Sequence, residues 1–341
     1  MNPSTATFLR IGAGCLATLL VVLPAVWGGF ALWYQIPGGT TSKLFSVLGW
    51  TAFSIVMLVT IWQVRIALGL LIFVVAFAPL MVWWVSIPPS NDGQWADDVA
   101  RMTTGTVDGS RVTLYNVRNF DWRSKTDYTP RWETRTYDLD RMRSVDMIMS
   151  YWGMPAIAHM LISFGFDDGT YVVFSVEIRR QTFQAFSEIG GFFKEFELSI
   201  IASDERDVVR VRTNFRGEDA YLYQLRIPVS AMRSLFLGYV GEANSLIDTP
   251  RFYNTLTVNC TTLVYQMMKR IVGYLPMDYR LLLSGYLPEY VYSVHGLNQN
   301  LSMEELRARG RITDRAKQAG RSPDFSAEIR KGLPGMDLPA Q

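Results

Sequence analysis

The chain has 341 residues, enough for more than one structural unit, and its formal net charge of +2 at pH 7 gives no reason to expect a nucleic-acid partner. Its two cysteines, Cys15 and Cys260, are too few and too far apart for a disulfide framework or a cysteine-based metal cluster. No spacing of residues predicts a site for a metal, a nucleotide or another cofactor.

The first 90 residues carry almost no charge, although the chain as a whole is 49% hydrophobic. Three apolar runs, at about residues 11–33, 44–62 and 66–85, each approach the ~20 residues that cross a bilayer core as a helix. Tryptophans at their ends are typical of a membrane interface. The sequence therefore predicts a membrane domain of three transmembrane helices over residues 1–90.

The orientation of these helices follows from the positive-inside rule, which slightly favours the cytoplasm for Arg10 and for the turn at Arg65. Three crossings then carry everything after residue 90 to the outer side. In a cell with two membranes, this predicts a multi-pass protein of the inner (cytoplasmic) membrane with its large domain in the periplasm.

Residues 96–302 are predicted to form one α/β domain, and residues 303–341 a charged helical tail. A capping box at Ser302 marks the start of that tail. Within the domain, a helix is predicted between Asp138 and Tyr151.

The clearest local signal is a β-hairpin around Asp167-Asp168-Gly169-Thr170. A three-residue loop with Gly169 in the left-handed conformation places His159 directly opposite Glu177. A loop of two or four residues places Ile178 opposite His159 and turns Glu177 to the other face of the sheet. The sequence leaves both registers open.

A second polar stretch, residues 116–122, follows a predicted strand. It contains Asn116, Arg118, Asn119 and Trp122, which either end the strand or line a polar pocket.

Cys260 stands at the predicted start of a helix that ends at Gly273. The helix dipole and the free backbone N–H groups favour a thiolate there. The same N–H groups, with the Asn259 side chain, are suited to hold an oxyanion. A nucleophilic cysteine needs a base, and the chain has two histidines. His295 lies in a predicted surface turn, so we favour His159; the structural alternative is a buried cysteine and a core histidine.

A histidine strand followed by an Asn-Cys helix start resembles the circularly permuted papain-like enzymes, which include the lecithin:retinol acyltransferase-like proteins. Further segments make the resemblance more specific, and together they are similar to the Lnb-like family of bacterial lipoprotein N-acyltransferases over most of residues 110–333. These segments are residues 116–122, 150–169, 175–180, 204–214, 259–262, 281–290 and 304–312.

This resemblance implies an α+β chain in which three transmembrane helices precede a circularly permuted papain-like (NlpC-type) α/β domain. It implies Cys260 as the nucleophile that accepts the acyl group and His159 as its base. Glu177 and Ser175 are the candidates for orienting His159. The candidates for contacting substrate are Asn116, Arg118, Trp122, Arg179 and Tyr253.

The implied reaction moves an acyl chain from a membrane phospholipid, through a Cys260 thioester, to the α-amine of a diacylglyceryl-cysteine lipoprotein, without a cofactor. One alternative is a membrane-anchored cysteine hydrolase that acts on peptidoglycan or peptides. Another is a non-catalytic envelope-assembly module. Papain-like folds support both enzymes, so the fold does not discriminate between them. A hydrolase needs an open, wet groove, whereas an acyltransferase opens its site to the bilayer through apolar residues.

Overall fold

The structure, a computed structural model, describes residues 3–333 and divides into two compact units. The first comprises the chain up to residue 90 together with residues 187–195, and the second comprises residues 91–186 and the chain from residue 196 onward. The fold is mixed α+β, with three long apolar helices followed by a sheet-rich domain, which confirms the predicted fold class. The circular permutation and the predicted domain boundaries stay predictions, and residues 334–341 of the predicted tail lie outside the described residues.

The first unit contains helices α1 (Pro3–Gln35), α2 (Thr40–Gln63) and α3 (Ile66–Ser86). Each includes a segment long and apolar enough to cross a membrane. Close approach of α2 and α3 requires a small residue at Gly69, since a Cβ there would lie 2.6 Å from a side-chain carbon of Ile61. The predicted three transmembrane helices are therefore present in the described chain.

Residues 187–195, although inserted between two strands of the other unit, pack with these helices. The Gln35 side-chain amide donates hydrogen bonds of 2.8 Å to the carbonyls of Phe193 and Lys194. The ring of Tyr34 stacks on Phe193 at 5.8 Å, and the Lys194 ammonium donates to the Trp84 carbonyl at 2.7 Å. These contacts join the loop to the ends of α1 and α3.

The second unit is built on an eight-stranded sheet with the order β1-β2-β9-β8-β7-β6-β10, in which β5 pairs with β2. A separate two-stranded sheet pairs β3 with β4. The strands are β1 (Thr104–Asp108), β2 (Arg111–Arg118), β3 (Asp121–Trp122), β4 (Tyr128–Thr129), β5 (Trp132–Asp138), β6 (Met142–Tyr151), β7 (Ala158–Phe166), β8 (Tyr171–Arg179), β9 (Glu197–Ser203) and β10 (Asp219–Gln224).

Helices cover both faces of this sheet. They are α4 (Glu205–Arg210), which continues as a π-helical turn (Val211–Arg216), α5 (Val229–Asp248), α6 (Cys260–Val272), α7 (Leu287–Ser293), α8 (Met303–Gly310), α9 (Thr313–Ala319) and α10 (Phe325–Arg330). Short 3-10 turns occur at Asp97–Val99, Leu139–Arg141, Gly190–Phe192, Tyr279–Leu281 and Ser284–Tyr286. The helices α5 and α6 share one apolar core with the sheet, and α4, α9 and α10 share the other.

The predicted helix between Asp138 and Tyr151 is wrong, because most of this segment forms strand β6. The strand lies between β7 and β10 and is covered on both faces: Met147 and Met149 join one core, and Ile148 joins the other. A strand buried on both faces loses the alternation of apolar and polar residues that identifies strands in a sequence.

The hairpin between β7 and β8 has a three-residue loop. The Phe166 N–H donates to the Thr170 carbonyl at 3.0 Å, and Gly169 has a φ of +79°. The strand pairing places Leu161 opposite Ser175, and its continuation by two residues places His159 opposite Glu177. Of the two registers that the sequence left open, the structure has the one that brings the histidine and the carboxylate together.

The tail after residue 302 packs on the sheet as three short helices. Ser302 caps α8 with the predicted capping box. Its hydroxyl accepts a hydrogen bond from the Glu305 N–H, and the Glu305 carboxylate accepts one from the Ser302 N–H. The single tail helix expected from the sequence is broken at Arg311, where the backbone is extended. Beyond the break, Ile312 and Ala316 are completely buried.

Asp207 on α4 ties the polar stretch after β2 to the helix layer. Its carboxylate accepts two hydrogen bonds from the Arg118 guanidinium (2.9 and 3.2 Å), one from the Phe120 N–H (2.9 Å) and one from the Trp122 indole (2.7 Å). Asp207 is fully buried and Arg118 is 5% exposed. Buried charges persist only where they are paired and hydrogen-bonded, as both are here.

Removing the charge of Asp207 is expected to destabilise the domain strongly. Asp207→Asn leaves the Arg118 guanidinium buried without its counter-charge, so the free energy of unfolding should fall by about 3 kcal/mol or more. Denaturant titration of the purified protein, followed by tryptophan fluorescence, measures this. The matched control is Asp127→Asn, which breaks the solvent-exposed pair with Arg123 and should leave the midpoint unchanged. Equal midpoints for both variants would contradict the assignment.

Candidate active site

Helix α6 begins at Cys260 because Asn259 caps it. The Asn259 side-chain oxygen accepts hydrogen bonds of 2.9 Å from the N–H groups of Thr261 and Thr262, and the Thr262 hydroxyl accepts from the Asn259 N–H. The side-chain amide of Asn259 donates to the Thr255 carbonyl at 2.7 Å. With both ends of its side chain engaged, Asn259 positions the start of α6. The Cys260 N–H is at the first helical position, where the helix itself offers no acceptor.

His159 lies near the start of β7, with its Nε2 atom 2.8 Å from the Ser175 hydroxyl and 3.2 Å from a Glu177 carboxylate oxygen. The Ser175 hydroxyl donates to the same Glu177 oxygen at 2.6 Å, so Ser175 accepts from a protonated Nε2. The His159 ring lies close enough to the Cys260 sulfur to lower the pKa of the thiol. Because Nε2 is engaged, Nδ1 is the nitrogen left to face the sulfur. The second histidine, His295, is exposed and has a φ of +60°.

Arg212 is a site residue that the sequence did not single out. It lies in the π-helical turn after α4, is 7% exposed, and donates to the same Glu177 oxygen at 3.0 Å. Glu218 lies 3.7 Å from the opposite side of its guanidinium and accepts from the Ser150 hydroxyl at 2.6 Å. A π-helical turn often marks a functional site. The sequence shows only a mixed charged run here, because Glu177, the partner that joins Arg212 to the site, lies on the distant strand β8.

The electrostatics of the site favour an ion pair. Burial alone lowers the pKa of His159, but the Glu177 charge and the hydrogen bond from Cys260 outweigh it and raise the pKa to about 9. Burial alone raises the pKa of Cys260, but the hydrogen bond and positive charge of His159 bring the pKa below its ordinary value. Burial likewise opposes ionisation of Glu177, yet His159 and Arg212 hold its pKa well below the usual range. The arrangement suits a thiolate facing an imidazolium.

An apolar cavity of about 500 Å³ adjoins this pair. Thr261 and Met160, the chain neighbours of Cys260 and His159, both line it, and the Cys260 sulfur lies 4.0 Å from the Thr261 hydroxyl oxygen. The cavity continues along α6 past Val264. The cavity therefore begins at the chain neighbours of Cys260 and His159, and its walls are mostly apolar.

Three of the five residues predicted to contact substrate lie in the polar stretch of residues 116–122, which is hydrogen-bonded to Asp207. Arg118 and Trp122 bond Asp207 and are buried, and Asn116 donates to the Met102 carbonyl at 3.1 Å. These bonds serve the fold, and the structure does not bring these side chains to Cys260. A contact between them and a substrate stays a prediction.

The other two candidates also have structural surroundings. Arg179 is 6% exposed, donates to the carbonyls of Val99 and Ala100, and lies over the Trp95 ring at 4.4 Å. Tyr253 is partly buried against the larger core. Within residues 3–333, no group of three His, Cys, Asp or Glu side chains is arranged to hold a metal ion.

Comparison with known families identifies the domain that holds this site. Residues 128–285 match the family model described as the Lnb N-terminal periplasmic domain. This range includes Cys260, His159, Ser175 and Glu177, and the match confirms the predicted Lnb-like resemblance over it. Together with the apolar helices, it indicates a membrane protein with a periplasmic domain. Searches of curated proteins and of solved structures found no match.

The ion pair predicts how Cys260 reacts with an alkylating agent. In a Cys15→Ser background, the rate at which iodoacetamide labels Cys260 should reach half its maximum at a pH below ~8.5, the pKa of an ordinary cysteine thiol, because only the thiolate reacts. In His159→Ala, the two largest causes that lower the Cys260 pKa are lost while burial still raises it, so the labelling curve should move to higher pH. Mass spectrometry of the modified peptide gives the rates. His295→Ala is the matched control and should leave the curve in place; identical curves for all three proteins would rule out the pair.

Proposed function

We propose that this protein, whose residues 128–285 match the Lnb N-terminal periplasmic domain, is a lipoprotein N-acyltransferase anchored in the bacterial inner membrane. The phospholipid bilayer supplies the acyl donor, and a diacylglyceryl lipoprotein is the acceptor. The observation that carries the proposal is that His159, with its Nε2 atom within 3.2 Å of Ser175 and Glu177, lies close enough to Cys260 to lower the pKa of the thiol. Nucleophile, base and orienting group thus form one chain of contacts.

In the first half-reaction, His159 holds the thiol proton and the Cys260 thiolate attacks an ester carbonyl of the phospholipid. A carbon–sulfur bond forms, and the negative charge moves to the carbonyl oxygen near the Cys260 N–H at the start of α6. The carbon–oxygen bond to glycerol then breaks. Nδ1 of His159 gives its proton to the departing alkoxide, so a lysophospholipid leaves and a thioester remains on Cys260.

In the second half-reaction, the free α-amine of the diacylglyceryl-cysteine attacks the thioester. A carbon–nitrogen bond forms, the carbon–sulfur bond breaks, and Nδ1 of His159 takes the proton that the amine loses. The thiolate and the imidazolium are thereby restored. Attack by water at the same step would release a fatty acid instead, which is the hydrolase alternative.

Two features support transfer over hydrolysis. Cys260 is 7% exposed and adjoins an apolar cavity, whereas a hydrolase of peptides or peptidoglycan needs a wet, polar groove. Both proposed substrates also reside in the bilayer, where the membrane helices would hold the enzyme at high local concentration. The lowered pKa of Cys260 argues against a non-catalytic envelope-assembly module, because such a module has no use for a reactive thiol.

The decisive test is mass spectrometry of lipoprotein N-termini from cells that lack other N-acyltransferases. Cells with the wild-type protein should contain three-chain lipoproteins, and cells with Cys260→Ser should contain two-chain lipoproteins, because loss of a nucleophile removes orders of magnitude in rate. Cys15→Ser is the matched control and should behave as wild type. If wild-type cells also contain only two-chain lipoproteins, the acyltransferase proposal is wrong. Lysophospholipid and free fatty acid without N-acylation would indicate the hydrolase.

The pH dependence of transfer tests the role of Glu177. Its charge raises the His159 pKa to about 9, so the imidazolium that protonates the leaving group persists up to that pH. In Glu177→Gln the His159 pKa should fall, and the alkaline limb of kcat/KM should move to lower pH, by about one pH unit for each ~1.4 kcal/mol of lost interaction. Glu133→Gln, a carboxylate paired with Arg135 elsewhere, is the control. Superimposable profiles for Glu177→Gln and wild type would exclude this role.

A further inference from the structure

The apolar cavity beside Cys260 is too large to be a packing defect. Protein interiors are close-packed, and their voids rarely exceed a water molecule. A volume of about 500 Å³ instead falls within the range of small-molecule pockets. The cavity lies between α6, the even-numbered face of β7 and α7, and its walls include Met160, Ile162, Val264, Met268, Leu287 and Tyr290.

We infer that this cavity binds the acyl chain carried by Cys260, with the carboxyl end at the sulfur and the methyl end toward Val272 and Tyr274. The inference rests on the proposed function, and it assigns the substrate a binding site and an orientation. It also makes the cavity the determinant of which chain lengths the enzyme transfers.

The dimensions of the cavity fit one phospholipid chain. Thr261 and Val272, which line its two ends on α6, are eleven residues apart, or about 16 Å along a helix. One leaflet of a bilayer contributes half of the ~30 Å hydrocarbon core, so a single acyl chain spans about 15 Å. At ~30 Å³ for a water-sized group, the volume accommodates roughly 16 such groups.

The chemistry of the walls also selects a hydrocarbon. A peptide or a glycan would need hydrogen-bond partners along its length, whereas most of the wall is aliphatic or aromatic. Met160 and Met268 have flexible, polarizable side chains, which adapt to a chain without a fixed shape. The polar exceptions Arg226 and His295 are both exposed, so they lie at the outer edge of the cavity.

The cavity wall reaches the protein surface at an apolar patch formed by residues 272–283. Val272 is 45% exposed and Tyr274 82%, and beyond them Met277 and Leu282 are also exposed. Contiguous exposed apolar residues of this kind mark a surface that meets protein or membrane. Because the cavity and the patch share Val272 and Tyr274, an acyl chain has an apolar route from the protein surface to the end of the cavity at Thr261, the chain neighbour of Cys260.

Filling the cavity should change chain-length selectivity. The full-length protein is assayed in detergent with phosphatidylethanolamines that carry 16-carbon or 8-carbon chains, using a diacylglyceryl-cysteine peptide as acceptor. In Met268→Trp, the ratio of 16-carbon to 8-carbon transfer should fall at least tenfold below wild type, with Met268→Phe in between. The control is Met303→Trp, which adds the same bulk to a partly buried methionine outside the cavity and should keep the wild-type ratio. Unchanged ratios in both Met268 variants would overturn the inference.

A second measurement separates this inference from the proposed reaction. A 16-carbon fatty acid with a diazirine at its methyl end is photo-crosslinked to the Cys260→Ser protein, and the modified peptides are mapped. Labelling within residues 272–276 that Met268→Trp abolishes supports the site even if no transfer is ever detected. Labelling elsewhere, or labelling that Met268→Trp does not change, refutes the site while leaving the acyltransferase proposal to its own test.

Discussion

The site depends on the interactions of the half-buried Glu177 carboxylate. One of its oxygens lies within 3.2 Å of donor atoms on Ser175, His159 and Arg212. The positive charges of His159 and Arg212 offset the negative charge of the carboxylate. A carboxylate in this environment would otherwise take up a proton, and His159 would then lose the charge that keeps it protonated. The low pKa of the Cys260 thiol follows in turn from the charge on His159. The reactivity of the sulfur is thus set by a group that does not touch it.

This chain of charges is assembled from both faces of the sheet. His159, Ser175 and Glu177 occupy odd-numbered positions on β7 and β8 and point to the face covered by α4. Arg212 reaches Glu177 from the π-helical turn that follows α4. Cys260 belongs to α6 on the opposite face and meets His159 near the first residues of β7. A one-residue slip of the hairpin would turn Glu177 to the other face and break the chain of contacts. The left-handed Gly169 turn, which fixes the register, is therefore as necessary to the site as the charged residues are.

The features that the sequence predicts correctly depend on local interactions. The Asp-Gly hairpin, the start of α6 at Cys260, the capping box of α8 and the three apolar helices each have a signal within a few residues or one uninterrupted run. Prediction fails where the deciding partner is distant in the chain. Strand β6 loses its alternation because helices cover both faces, and Arg118 and Trp122 suggest a polar pocket because their partner Asp207 lies about 90 residues away. Arg212 is missed for the same reason, since Glu177 lies on another element.

A charged catalytic group beside an apolar cavity is costly unless the charge is paired, and the pairing of Cys260 with His159 is what makes the combination stable. The same combination bears on the choice between transfer and hydrolysis. An acyl chain seated in the cavity fills the space next to the sulfur and limits the access of water to the thioester. A neutral amine that reaches the site from the lipid side then meets an activated carbonyl with little competition from water. If the proposed function is correct, the cavity would favour aminolysis, and the linked charges of His159 and Glu177 would supply the reactivity that both proposed half-reactions require.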